Sequence, residues 1–172
     1  MTKDVKIGGK TINLTANGAT PLFYKQFFHK DLLKEISTSD DGLVLANESV
    51  PELAFIMAKQ SDKADMLHLT QDMYVEFLSL FDALDLPLAG SDIFGVYVAN
   101  AMPTEESKKK EQRQSERVTS TALYLLRCLQ VGLHIADLER LDLGMVIDIF
   151  TESKNDEYKY KEVANQSDFD NF

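Results

Sequence analysis

Val5 and Ile7 alternate with polar neighbours, Gly8-Gly9 tolerate positive φ, and Ile12 and Leu14 alternate again, which predicts a β-hairpin. A lone hairpin is marginal in water, so this one must lie on helices or on a partner's strand. After Asn17-Gly18 the apolar spacing turns helical. Thr20 is placed as an N-cap with Pro21 at the first helical position, ahead of Phe23, Phe27 and Phe28. A continuation from Asp31 carries Leu32, Leu33 and Ile36, and Ser37 to Gly42 reads as a polar loop. Ser49-Val50-Pro51-Glu52 reads as a capping box in front of Leu53, Ile56 and Met57. Thr70 is a further N-cap with Asp72 in the first turn, and Met73, Phe77, Phe81 and Leu84 mark one face up to Leu86-Pro87. Ser91-Asp92 opens another helix with Ile93, Val96 and Tyr97 inward.

The pattern breaks at Pro103. From there to Arg117 no residue but that proline is apolar, so the stretch has nothing with which to hold a core. Beyond it Ala122, Leu125, Leu126, Leu129 and Leu133 form a helical stripe that Gly132 is placed to end. Asp137 to Leu141 reads as a short helix, and Asp142 as the cap of another running from Leu143 to about Asn155. These signals predict a mainly α protein with a short N-terminal β-hairpin, an α+β class. Residues 1–102 read as the hairpin plus a helical domain, 103–118 as a charged linker, 119–156 as a small helical module and 157–172 as an acidic aromatic tail. The two modules are expected to be separable.

Charge narrows the functional classes. Acidic residues outnumber basic ones 28 to 18, giving a net charge of -10 over 172 residues. The surplus sits on both sides of the break, -6 before Pro103 and -5 from Val118 onward. Such a chain repels a phosphate backbone and an anionic bilayer, which argues against nucleic-acid and membrane partners. The start at Met1 lacks the apolar core of a signal peptide, and Ile93 to Met102 is half a membrane span with Asn100 inside it. One cysteine, Cys128, permits a reducing compartment.

No constellation points to catalysis, a cofactor or a metal. Gly9-Lys10-Thr11 lacks the earlier glycine of a phosphate-binding loop, since that position is Asp4, and no helix follows. His29, His68 and His134 are scattered, and Asp62, Asp65 and His68 read as a solvated helix face. Cys128 lies in a leucine-rich helix without a base and reads as an inert buried thiol. The paired helices after Val118 suit a helix-turn-helix only superficially, because Leu143 to Phe150 carries Asp148 and none of the side chains that read bases.

The ordered combination of Lys6-Ile7-Gly8-Gly9-Lys10, Ala19-Thr20-Pro21, Tyr24-Lys25, Lys30-Asp31-Leu32-Leu33 and Pro51 to Gln60 resembles the tail assembly chaperones of long-tailed bacteriophages and prophages. Leu138 to Leu141, Gly144 to Asp148, Asn155-Asp156 and Gln166 to Phe172 resemble that family's second module. The resemblance implies a non-enzymatic protein of the host bacterial cytoplasm, outside the mature virion, made as a short form and a longer frameshift fusion. This chain, with both modules, resembles the long form. It implies that residues 1–102, as a helical chaperone domain, coat the tape measure protein, and that the second module recruits major tail tube subunits, with self-association along the client. Lys108-Lys109-Lys110 is where adenine-rich codons would place a slippage site. The candidate interaction residues are Tyr158, Tyr160, Phe169 and Phe172 in the tail, with Met145 and Asp148 before it. Aromatics in a segment too polar to fold alone suit docking anchors. The alternative class is an acidic DNA-mimic inhibitor.

Overall fold

The computed structural model describes residues 2–39, 42–110 and 117–156. The protein is mainly α-helical with a short N-terminal β-hairpin. Strands β1 (Thr2–Ile7) and β2 (Lys10–Thr15) pair antiparallel with Val5 opposite Ile12, and Gly8 and Gly9 take φ of 55° and 77° at the turn. Their alternation buries Val5, Ile7 and Leu14 on one face. Helix α1 (Thr20–Phe28) starts one residue earlier than a Thr20 cap would place it, after Ala19. Thr20 still closes the turn, because its Oγ1 accepts from the Asn17 amide at 2.9 Å and donates to Gln60. His29 ends α1 in the left-handed region, and α2 (Leu32–Glu35) is a single turn.

The stretch expected as a loop after Ile36 holds a second hairpin. Strands β3 (Ile36–Ser39) and β4 (Gly42–Leu45) pair antiparallel with Ile36 opposite Leu45. Helix α3 (Val50–Ser61) is the centre of the molecule, with Leu53, Ala54, Phe55, Ile56 and Met57 fully buried. A helix apolar on every side must be covered all round. The capping box expected at its start does not form. Ser49 makes no cap bond and its hydroxyl donates to Glu35, while Glu52 turns inward to accept from the Tyr24 hydroxyl and from Lys30 at 2.7 Å. A buried carboxylate satisfied by two donors outweighs a local cap. The Glu52 bond raises the Lys30 ammonium above its ordinary value, and burial pushes the Tyr24 hydroxyl far up.

Helix α4 (Gln71–Leu78) is capped by Thr70, whose Oγ1 accepts from the Met73 amide. Pro87 lies inside the short α5 (Asp85–Leu88) rather than ending an element, and α6 (Gly90–Ala101) buries Ile93, Val96 and Tyr97 as expected. After the 103–118 stretch come α7 (Thr121–Gln130), a 3-10 turn at Ile135–Glu139 and α8 (Leu143–Asn155). Gly132 ends α7 at φ 82°.

The boundary drawn in the sequence at residue 103 is not a boundary in the packing. Tyr124, Cys128, Leu138, Leu143 and Val146 join the same core as Val5, Tyr24 and Ile93. The first part also caps helices of the second. Asp31 accepts from the Thr121 amide at 3.0 Å and from its hydroxyl at 2.8 Å, at the start of α7. Asn100 accepts from the Leu143 amide at 3.1 Å and donates to Asp142 at 2.7 Å, at the start of α8. Asp142 therefore occupies the cap position without making the cap bond. Tyr124 donates its hydroxyl to the Gly18 carbonyl at 2.9 Å, and the Gly18 amide bonds Leu141 O at 2.7 Å. The expected linker is partly pinned as well. Thr104 N donates to Asp148, Lys110 pairs with Glu152, and Ser107 is buried.

Candidate functional site: an acidic apolar face

Between Ala64 and Leu88 the chain carries five carboxylates, those of Asp65, Asp72, Glu76, Asp82 and Asp85, and no Lys or Arg. The same span holds six exposed large apolar side chains: Leu67, Met73, Val75, Leu80, Leu84 and Leu88. Leu67, Leu84 and Leu88 are 72%, 69% and 82% exposed.

The aromatic underside of α4 explains how such a surface is held out. Tyr74, Phe77 and Phe81 face inward, with the Tyr74 ring 5.1 Å from Phe55 and 5.0 Å from Phe28, and Phe77 5.6 Å from Phe55. Phe77 then meets Phe81 at 5.3 Å. Edge-to-face aromatic contacts of this kind fix orientation as well as burying area. Burial, then the Glu52 charge, pushes the Tyr74 hydroxyl to about 12, so it stays neutral. With that side anchored, Met73, Glu76 and Leu80 follow one another at i, i+3 and i+7 along the outward side, one stripe of the helix and the turn that continues it. Leu84 and Leu88 are one turn apart, joined by the Leu88 amide on Leu84 O at 3.0 Å.

Two lysines lie near the aromatic residues of this region. Lys10 donates to Leu80 O with its ammonium 5.8 Å from the Phe81 ring, and Lys59 lies 5.8 Å from the Phe55 ring. Asp85 accepts from the Asp82 amide at 2.9 Å and lies against the β1–β2 turn. Asp65 and His68 pair at 2.8 Å in full exposure, and the His68 bond holds the Asp65 carboxyl below its ordinary value. The sequence expectation put Met73, Phe77, Phe81 and Leu84 on one face. The structure divides them, with Phe77 and Phe81 turned inward and Met73 and Leu84 exposed.

The residues singled out in the sequence fall in different places. Met145 is exposed on α8. Asp148, one turn on, is half-buried and accepts from Thr104 N at 3.0 and 3.3 Å, so it serves the chain's own turn. Tyr158, Tyr160, Phe169 and Phe172 lie outside the described residues. Cys128 is fully buried, and burial raises its thiol above the ordinary value, which leaves it protonated and unreactive. Among the described residues no group of three or more His, Cys, Asp or Glu could hold a metal ion, and no helix is long and apolar enough to cross a membrane. A groove of about 610 Å³ runs between α7 and α8, lined by Arg127, Gln130, Val131, Ile147, Phe150 and Lys154 among others. No family model, no curated protein and no solved structure matches the chain.

Proposed function

We propose that this protein is a non-enzymatic assembly chaperone of the phage-tail kind, which keeps a long helical client, the tape measure protein, in solution and brings tail tube subunits to it. One observation carries the reading: exposed apolar side chains recur along residues 67–88, around helix α4, whose other side is fixed by an aromatic ladder. A surface of that kind suits the apolar stripe of a partner helix. Short contacts of modest strength gain by repetition along a client that offers many equivalent stripes. The net charge of -10 keeps neighbouring copies soluble. The carboxylates of this face are interleaved with leucine and methionine, which favours a protein client over mimicry of a DNA backbone.

The test is co-expression with a long helical tape measure protein. The intact chain is expected to move the client into the soluble fraction, and the triple variant Met73→Gln, Leu84→Gln, Leu88→Gln to lose that effect while keeping its helical circular dichroism. A client that stays insoluble beside the intact chain sinks the proposal. Removing residues after Asp156, which leaves α8 complete, is expected to abolish tube-subunit capture and spare the client.

A further inference from the structure

The charge of the outward face of α4 and the turn after it specifies its partner further than the proposed chaperone role requires. We propose that this face takes a cationic amphipathic helix of the client. The inference rests on the helical-client reading and adds the sign of the charge that flanks the client's apolar stripe.

The exposed stripe of α4 alternates apolar and acidic positions, Met73, Glu76 and Leu80, with Asp72 beside it and Asp82 in the turn that follows. A helix laid along it buries leucines against Met73 and Leu80 only by bringing its flanking side chains next to those carboxylates. Lysine or arginine there gains attraction in a half-desolvated contact, and glutamate is repelled. Lys10 sets one cation at the Leu80 carbonyl, against the three carboxylates of Asp72, Glu76 and Asp82, and Lys59 lies over the Phe55 ring of α3. The helix itself is about 12 Å long, at about 1.5 Å per residue. One copy therefore covers roughly two turns of a client, so single contacts are weak and depend on salt.

The probe is a fluorescent 18-residue peptide of leucine and lysine with helical spacing, titrated against the full-length protein by anisotropy. Two companions are a leucine and glutamate peptide and a lysine and glutamine peptide with no apolar stripe. The leucine and lysine peptide is expected to bind at least tenfold more tightly than either companion, and less tightly as salt rises. In the variant Glu76→Lys with Asp82→Lys the preference between the two leucine peptides is expected to invert. Asp72 is left in place because a carboxylate in the first turn of α4 favours the helix dipole. A control with the same charge change elsewhere on the exposed surface, Glu48→Lys with Glu139→Lys, is expected to keep the preference. Equal binding of both leucine peptides overturns the inference, as does a preference that follows the control variant. If the peptides are not discriminated and the client is still solubilised, the charge assignment fails alone. A client left insoluble by the intact chain removes the chaperone reading itself.

Discussion

At the scale of single residues, Gly144 and Asp31 show how closely the segments on either side of residue 103 are fitted. A Cβ built on Gly144 would come 2.2 Å from Met102 O and 2.8 Å from Met102 C, both backbone atoms that cannot swing aside. Gly144→Ala must therefore shift α8 away from the end of α6. It is expected to lower the urea midpoint, with a loss of about 1–3 kcal/mol, the usual range for overpacking. For Asp31, burial would raise the carboxyl, but the bonds from Thr121 and Lys25 outweigh it and hold the carboxyl below its ordinary value of 3.8. A folded value below the unfolded one gives stability that is present above the ordinary carboxylate range and is lost as pH falls through the folded value. Urea midpoints taken between pH 6 and 2 are expected to fall below about pH 4. Asp31→Asn should start lower by roughly 1.5–3 kcal/mol at neutral pH and lose part of that acid dependence. An Asn variant with the same acid profile as the native chain would remove Asp31 as its source.

Among the elements, α4 is the one whose stability bears directly on the proposed binding face. Its first turn depends on the Thr70 hydroxyl at 3.3 Å from the Met73 amide. Thr70→Ala is expected to cost about 1 kcal/mol and to speed hydrogen exchange at the amides of the first turn, with client binding weakened to a similar degree. Unchanged exchange there would mean that the aromatic ladder alone sets the helix. The Thr70 cap was legible in sequence because its signal is local, as were the Val5–Leu14 hairpin and the α6 stripe. The β3–β4 hairpin was not, because Ile36-Ser37-Thr38-Ser39 is too polar to read as a buried strand, although Asp41-Gly42 is a turn dipeptide that could have flagged it. Ser49 and Glu52 fit a capping box by spacing, and only the long-range pull of Tyr24 and Lys30 on Glu52 undoes it. The exposed face of α4 was illegible for a related reason. Met73, Phe77 and Phe81 all look like core from spacing, and only the position of Phe55 decides which of them turn inward.

For the whole molecule, the exchange of caps between the two parts bears on how the protein would behave if shortened. A product ending at Met102 would keep α3 and the N-terminal hairpin, yet it would lose the Thr121 bonds of Asp31 and the partners of Asn100 and of the Gly18 carbonyl. The apolar side chains that now meet Tyr124, Leu138, Leu143 and Val146 would be bared beside them. Residues 1–102 alone are expected to sediment as a larger and more heterogeneous species than the full chain, and adding residues 117–156 in trans should reverse this. A well-behaved 1–102 fragment with the sedimentation of a compact monomer would show that the shared core is dispensable. The full chain and one shortened at Met102 would thus differ in stickiness as well as in reach. The longer has the side against Tyr124, Leu138, Leu143 and Val146 already closed, and the shorter would have to close it on a neighbour.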